Sequence, residues 1–138
     1  MTPLEKDILL RKSNRIRQNL AALQEIAEKG IDSYRRNFLH KKAAERLLQE
    51  IVEAAIDINL HVLASEHSKQ PEDYYESFIL MGEMGMLPEE LAKRLAPAAG
   101  LRNRLVHQYD DLDDAIVFDS INESLIVMPK FLEAIAKV

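Results

Sequence analysis

Apolar residues return every three or four positions along most of the chain, and the places where they stop divide it into helices. The first stripe is Leu4, Ile8, Ile16, Leu20, Leu23 and Ile26. It ends before Gly30, the residue type that closes a helix in left-handed backbone. Asp32 or Ser33 can cap a second helix. Its stripe, Tyr34, Phe38, Leu47, Leu48, Ile51, Ala55, Ile58 and Val62, predicts one element of roughly thirty residues. It fades before the polar run 65–70. Pro71-Glu72-Asp73 then opens a shorter helix with Tyr74, Phe78 and Met81 that stops near Gly82 and Gly85. Pro88-Glu89-Glu90 is another start, since Pro at the first position and acids in the first turn both favour nucleation. Pro97 breaks that helix, and a further one runs from Ala98 to about Tyr109. Asp113 or Asp114 caps the last, with Ile116, Ile121, Leu125, Phe131, Leu132 and Ile135; a kink is expected at Pro129.

No repeat, low-complexity stretch or linker divides the 138 residues, so one domain spanning 1–138 is expected. With 4 Gly and 5 Pro the chain has too few turn residues for a many-stranded sandwich or barrel. The expected fold is all-α, an up-and-down four-helix bundle with an additional short helix. That architecture specifies no chemistry. The absence of cysteine excludes a disulfide framework, a thiolate metal site and thiol catalysis. The first residues lack a signal peptide's apolar stretch, and no run approaches the ~20 residues that span a bilayer. A soluble cytoplasmic protein without a membrane role is expected.

The net charge of −5 argues at first against a nucleic-acid partner. Its distribution says otherwise. Residues 11–46 hold ten Lys and Arg against four acids, a net of +6, whereas residues 47–138 hold seven against seventeen. Within the basic segment, Tyr34 and Phe38 interleave with Arg35, Arg36, His40, Lys41 and Lys42. A cationic strip with aromatics can track an RNA backbone and stack bases. The plainer reading makes both aromatics core residues, which is favoured for the rings but not for the charges. RNA contacts are therefore assigned to Arg35, Arg36, Lys41 and Lys42.

The segment from Gly100 to Asp110 packs Arg102, Asn103, Arg104, His107 and Tyr109 beside apolar anchors. At about 100° per residue, Arg102 and Tyr109 share a helix face, while Arg102 and His107 diverge by about 140°. The last two meet at one atom only if the helix ends between them or if two chains each contribute. A homodimer with this segment at its interface satisfies the second condition. The residue types suit phosphodiester cleavage without a metal. Imidazole exchanges protons near neutrality, and guanidinium stays charged beside a developing phosphorane.

Arg102, four residues, His107, one residue, Tyr109 matches the RX4HXY motif of the HEPN superfamily, and the whole segment resembles its HepT toxin branch. The resemblance runs along nearly the entire chain. Ala44-Glu45-Arg46-Leu47-Leu48-Gln49 to Ile56-Asp57-Ile58-Asn59 looks like the family's second helix, and Gly85-Met86-Leu87-Pro88 like the start of its fourth. It implies a compact helical bundle, a homodimer and a metal-independent endoribonuclease acting as the toxin of a type VII-like toxin–antitoxin pair. Arg102 and His107 take the catalytic positions. Tyr109 takes that of the tyrosine to which a cognate nucleotidyltransferase antitoxin adds AMP from ATP. Asn103 matches as a supporting residue, and Arg104, at a variable position, as a weaker phosphate contact.

No cofactor is expected. The four histidines lack zinc spacings; His61 reads as a partly buried structural residue and His67 as solvated. The acids Asp110, Asp111, Asp113 and Asp114 lack the glycine and distal Glu of a calcium loop and read as helix caps. Met81, Met84 and Met86 read as core or interface filling. Two alternatives compete: a catalytically silent HEPN dimer that binds a nucleotide or a nucleotidyltransferase, and a helical adaptor without a nucleic-acid role.

Overall fold

The computed structural model describes residues 1–107 and 112–138. Thr2 opens α1 (Pro3–Glu28) with a capping box: its hydroxyl accepts from the Glu5 amide, and the Glu5 carboxylate accepts from the Thr2 amide at 2.8 Å. α1 stops where the pattern predicts. Lys29 is its C-cap, and Gly30 takes φ +82°, backbone that a Cβ disfavours.

The long second helix is not continuous. The chain forms a short α2 (Gly30–Arg36), breaks at Asn37 and restarts as α3 (Phe38–His67). Asn37 is extended, and its side chain accepts from the His40 amide at 3.0 Å, an N-cap that competes locally with helix continuation. The break turns Phe38, assigned to the core stripe, outward to 67% exposure, while Tyr34 stays buried. Leu4, Tyr74 and Ile116 are likewise exposed rather than in the core. All four stand in the first turn of a helix, where Cα–Cβ bonds lean past the helix end.

Asp73 caps α4 (Tyr74–Glu83), accepting from the Glu76 amide at 2.7 Å. Pro88 precedes α5 (Glu89–Leu95), and the turn at Ala96 and Pro97 separates it from α6 (Ala98–His107). Asp113 accepts from the amides of Ala115 and Ile116 to start α7 (Asp114–Ile135), which continues through Pro129. The bundle is all-α, as expected; α5 and α6 stand where the pattern placed them, and the division of the long second helix into α2 and α3 is the departure.

α1, α3 and α7 pack against one another, and α4 and α6 cover another flank of α3. Ile16, Leu23, Leu48, Ile51, Ile58, Met81, Ile121 and Phe131 are fully buried between them. The Phe78 and Phe131 rings meet edge-on at 6.3 Å. Polar ties fix the register: Lys12 to Asp57 at 2.9 Å joins α1 to α3, and the Asn59 amide donates to Ser77 Oγ at 3.2 Å between α3 and α4. Arg94 donates to both oxygens of Glu123 at 2.7 and 2.8 Å, joining α5 to α7 and holding the Glu123 carboxyl below its usual range. Met81 is buried, and Met84 and Met86 pack against the core, the filling role expected of them. Among the described residues no helix is long and apolar enough to cross a membrane.

Gly82 marks the closest approach of α4 to α5. A Cβ built on it would stand 2.7 Å from Ala92 Cβ, and the Glu89 backbone lies at 3.6 Å. Gly82→Ala should therefore destabilise the fold by about 1–3 kcal/mol through overpacking, despite alanine's higher helix propensity. A urea titration checks this: the midpoint should fall with the slope unchanged, and a midpoint at or above the parent's would refute the close approach.

Candidate functional site

α6 carries the motif. Pro97 cannot continue α5, so the chain turns, and the amides of Gly100 and Leu101 donate to the Pro97 carbonyl at 3.0 and 3.3 Å to begin the new helix. Ala99 and Leu101 are buried, and Leu105 packs on the core, so the helix is seated by one narrow apolar edge. Arg102 lies beside that edge, half-buried. Asn103, Arg104 and His107 point away from it and are exposed.

Three groups surround Arg102. Its Nη2 lies 3.9 Å from Glu53 Oε2 on α3, and its Nη1 donates to Asn103 Oδ1 at 3.3 Å. The guanidinium sits 5.5 Å from the centre of the Tyr74 ring. Glu53 is itself held by Gln49, which donates to Oε1 at 2.7 Å. The Arg102 side chain keeps 20% of its surface exposed, and its Nε is buried without a hydrogen-bond acceptor. A cation so placed is oriented yet under-satisfied, the condition in which an arriving oxyanion gains most.

His107 is the last described residue of α6, and its side chain makes no hydrogen bond or ion pair among the described residues. The helix runs without interruption from Ala98 through His107. Of the two ways to bring Arg102 and His107 to one atom, the helix end between them is thereby removed. Tyr109, Asp110 and Asp111 lie outside the described residues.

The basic strip at α2 and α3 is partly neutralised. Arg35 and Arg36 are exposed, but Lys41 reaches Asp114 at 3.4 Å, and Lys42 lies 3.8 Å from Glu45 and 5.5 Å from the centre of the Phe38 ring. Tyr34 is buried against Phe118, ring centres 5.5 Å apart, so it stacks no base. Burial pushes its hydroxyl well above the ordinary tyrosine range, and Glu45 and Asp114 push it further. About 18 Å of α3 separates Lys41 from Glu53. The strip and Arg102 are thus successive positions along one helix rather than a single cluster.

Three other expectations change or find their place. His61 is exposed on α3, not partly buried. His67 ends α3 half-buried instead of fully solvated. Among the described residues no group of three or more His, Cys, Asp or Glu is placed to hold a metal ion. A cavity of about 1210 Å³ beside Leu87, Leu91, Lys130 and Lys137 contains none of the expected site residues.

The pattern analysis missed Glu53, Gln49 and Tyr74. Glu53 left one trace, as the lone acid within Ile51-Val52-Glu53-Ala54-Ala55-Ile56. A charge in so apolar a run has to meet a partner.

Comparison with known proteins places the chain as a whole. A profile of the family described as Ribonuclease HepT-like matches residues 16–135. The tRNA nuclease HepT of Aphanizomenon flos-aquae is 40% identical over 135 residues, covering 98% of this chain and 92% of that one. The mRNA nuclease HepT of Shewanella oneidensis is 26% identical over 129 residues, covering 94% and 96%. Among solved structures, the tri-AMPylated Shewanella oneidensis HEPN toxin in complex with MNT antitoxin superposes with a TM-score of 0.87 at 25% identity, over the whole of both chains.

Proposed function

The chain belongs to the HepT-like ribonuclease family, and from that premise we propose that it is the endoribonuclease toxin of a type VII-like toxin–antitoxin pair. Arg102 holds the scissile phosphate and stabilises the charge that builds on it. His107 moves the proton, from the attacking 2′-hydroxyl or to the leaving oxygen. Asn103 supports Arg102 through their hydrogen bond. A cognate nucleotidyltransferase antitoxin silences the enzyme by adding AMP to Tyr109.

One observation carries the reading. An oriented, under-satisfied Arg102 and an exposed, unengaged His107 share one short continuous helix. Their divergence of about 140° supports a site completed by a second copy of the chain. The chemistry as written needs only protein side chains and the RNA's own hydroxyl, so cleavage should persist in EDTA. The test is purified protein with total RNA in EDTA, beside an Arg102→Ala control. Cleavage abolished by EDTA would retire the metal-independent mechanism, and equal cleavage by parent and variant would place the activity elsewhere.

Arg35, Arg36, Lys41 and Lys42 extend the RNA path away from the motif. Replacing all four by Gln should weaken RNA binding and flatten its salt dependence, each lost phosphate contact lowering the log–log slope by about 0.7. The two arginines should account for most of the change, since Lys41 already faces Asp114 and Lys42 faces Glu45. Unchanged binding across a salt series would remove the strip from the interface.

A further inference from the structure

A groove of about 490 Å³ opens between the start of α4 and the first turns of α6, lined by Glu72, Tyr74, Tyr75, Ala99, Gly100 and Asn103, with Asp73 at its edge. Tyr74 and Tyr75 are 41% and 51% exposed, large rings left in solvent on a helix whose Ser77, Phe78 and Met81 are buried. The Arg102 guanidinium is at 5.5 Å from the Tyr74 ring centre, at the groove's border. Gly100 contributes no side chain, and a Cβ built there would meet nothing within 4 Å. A side chain at that position would enter open space.

We propose that this groove is a nucleobase subsite for the RNA substrate, with the base stacked on Tyr75 and its neighbouring phosphate held by Arg102; the assignment rests on the ribonuclease reading above. The chemistry of the lining sorts the parts of a nucleotide. Glu72 and Asp73 repel a phosphate, which is drawn to Arg102 instead. One ribose away, an uncharged base meets two exposed aromatic rings, and unpaired RNA bases stack on such rings whatever their identity. Arg102 lies toward the Tyr74 ring, which leaves Tyr75 as the stacking surface. The carboxylate of Asp73 is engaged in capping α4, whereas that of Glu72 makes no hydrogen bond among the described residues. Glu72 therefore accepts from the exocyclic amino group that cytosine, adenine and guanine carry. Uracil has no exocyclic amino group and offers only its single ring N3–H, so the subsite disfavours uridine.

The test uses full-length protein carrying His107→Ala, which keeps RNA intact, with fluorescein-labelled oligocytidylate and oligouridylate as probes. Oligocytidylate should bind more tightly than oligouridylate, and Glu72→Gln should shrink the difference. Tyr75→Ala should weaken both by about 10-fold, the scale of one lost base–aromatic stack, and Tyr75→Phe should not. Gly100→Met should reproduce Tyr75→Ala by filling the space, and circular dichroism should find every variant folded, since each position is exposed. Parent-like affinity for Tyr75→Ala and Gly100→Met, with binding retained, would overturn the subsite and leave the ribonuclease reading intact. Free cytidine monophosphate competing as well as the oligomer would assign the groove to a nucleotide instead of RNA. A mass in solution halved by Tyr75→Ala would assign it to a contact between copies. Failure of the parent itself to bind either oligomer would overturn both readings.

Discussion

His107→Ala is expected to lower RNA cleavage in EDTA by about 10²–10⁴-fold, the range that one positioned acid or base supplies. Arg102→Ala should cost about 10²–10³-fold, as expected for one lost stabiliser of developing charge. His107 is the cleaner of the two changes. Its side chain is exposed and has no partner among the described residues, so its loss should leave the melting temperature alone. Removing Arg102 also strips Glu53 of its cation and Tyr74 of a packing neighbour, so a small loss of stability should accompany it. Arg102→Lys keeps the charge but not the planar fork and should remain well below the parent.

The same pair tests the geometry. If the site takes Arg102 from one copy and His107 from the other, each single variant is inactive by itself. Mixing the two and letting subunits exchange rebuilds one intact site in every mixed dimer. Random reassortment makes half the dimers mixed, and each has one working site of two, so about a quarter of the parent activity should return. No recovery after exchange, with mixed dimers demonstrated by native mass spectrometry, would place both residues of each site on a single chain.

How far the amino-acid pattern reached can be judged from particular residues. It located the C-terminal end of α1, the starts of α4 and α7 and the Pro97 break, because Gly30, Asp73, Asp113 and Pro97 each act through their own backbone or side chain. It misjudged Leu4, Phe38, Tyr74 and Ile116 for one shared reason. Periodicity assigns a residue to a face, but a first-turn side chain leans beyond the helix end, where the packing partner has already finished. Asn37 also escaped it, since an Asn inside an apolar stripe reads as a tolerated polar position until its side chain is seen on the His40 amide. At the site, Arg102, Asn103 and His107 were legible as a motif. Glu53, 49 positions away in sequence, was not, because only the packing of α6 on α3 brings its carboxylate to Arg102.

Incubation with ATP and the cognate nucleotidyltransferase is expected to raise the toxin's mass in AMP-sized steps and to abolish cleavage, and Tyr109→Phe is expected to prevent both. Tyr109 follows His107 by two positions, so their Cα atoms lie at most about 7 Å apart. An adduct on the Tyr109 hydroxyl adds a phosphodiester charge to the segment that carries His107. RNA has to place its own phosphate there, so the two anions compete for the field of Arg102, and the adenosine occupies room the substrate needs. Phe keeps the ring and lacks only the acceptor oxygen. Tyr109→Phe should thus cut RNA within about 10-fold of the parent's rate, a proton-transfer partner having been left in place, while escaping the antitoxin's enzymatic action. Tyr109→Glu separates charge from bulk: with one negative charge and no nucleoside it should fall between the parent and the modified protein. Intact mass and cleavage measured on the same samples decide the matter. AMP steps that persist in Tyr109→Phe would put the acceptor at another residue, and a modified protein that still cuts RNA at the parent rate would end the neutralisation mechanism.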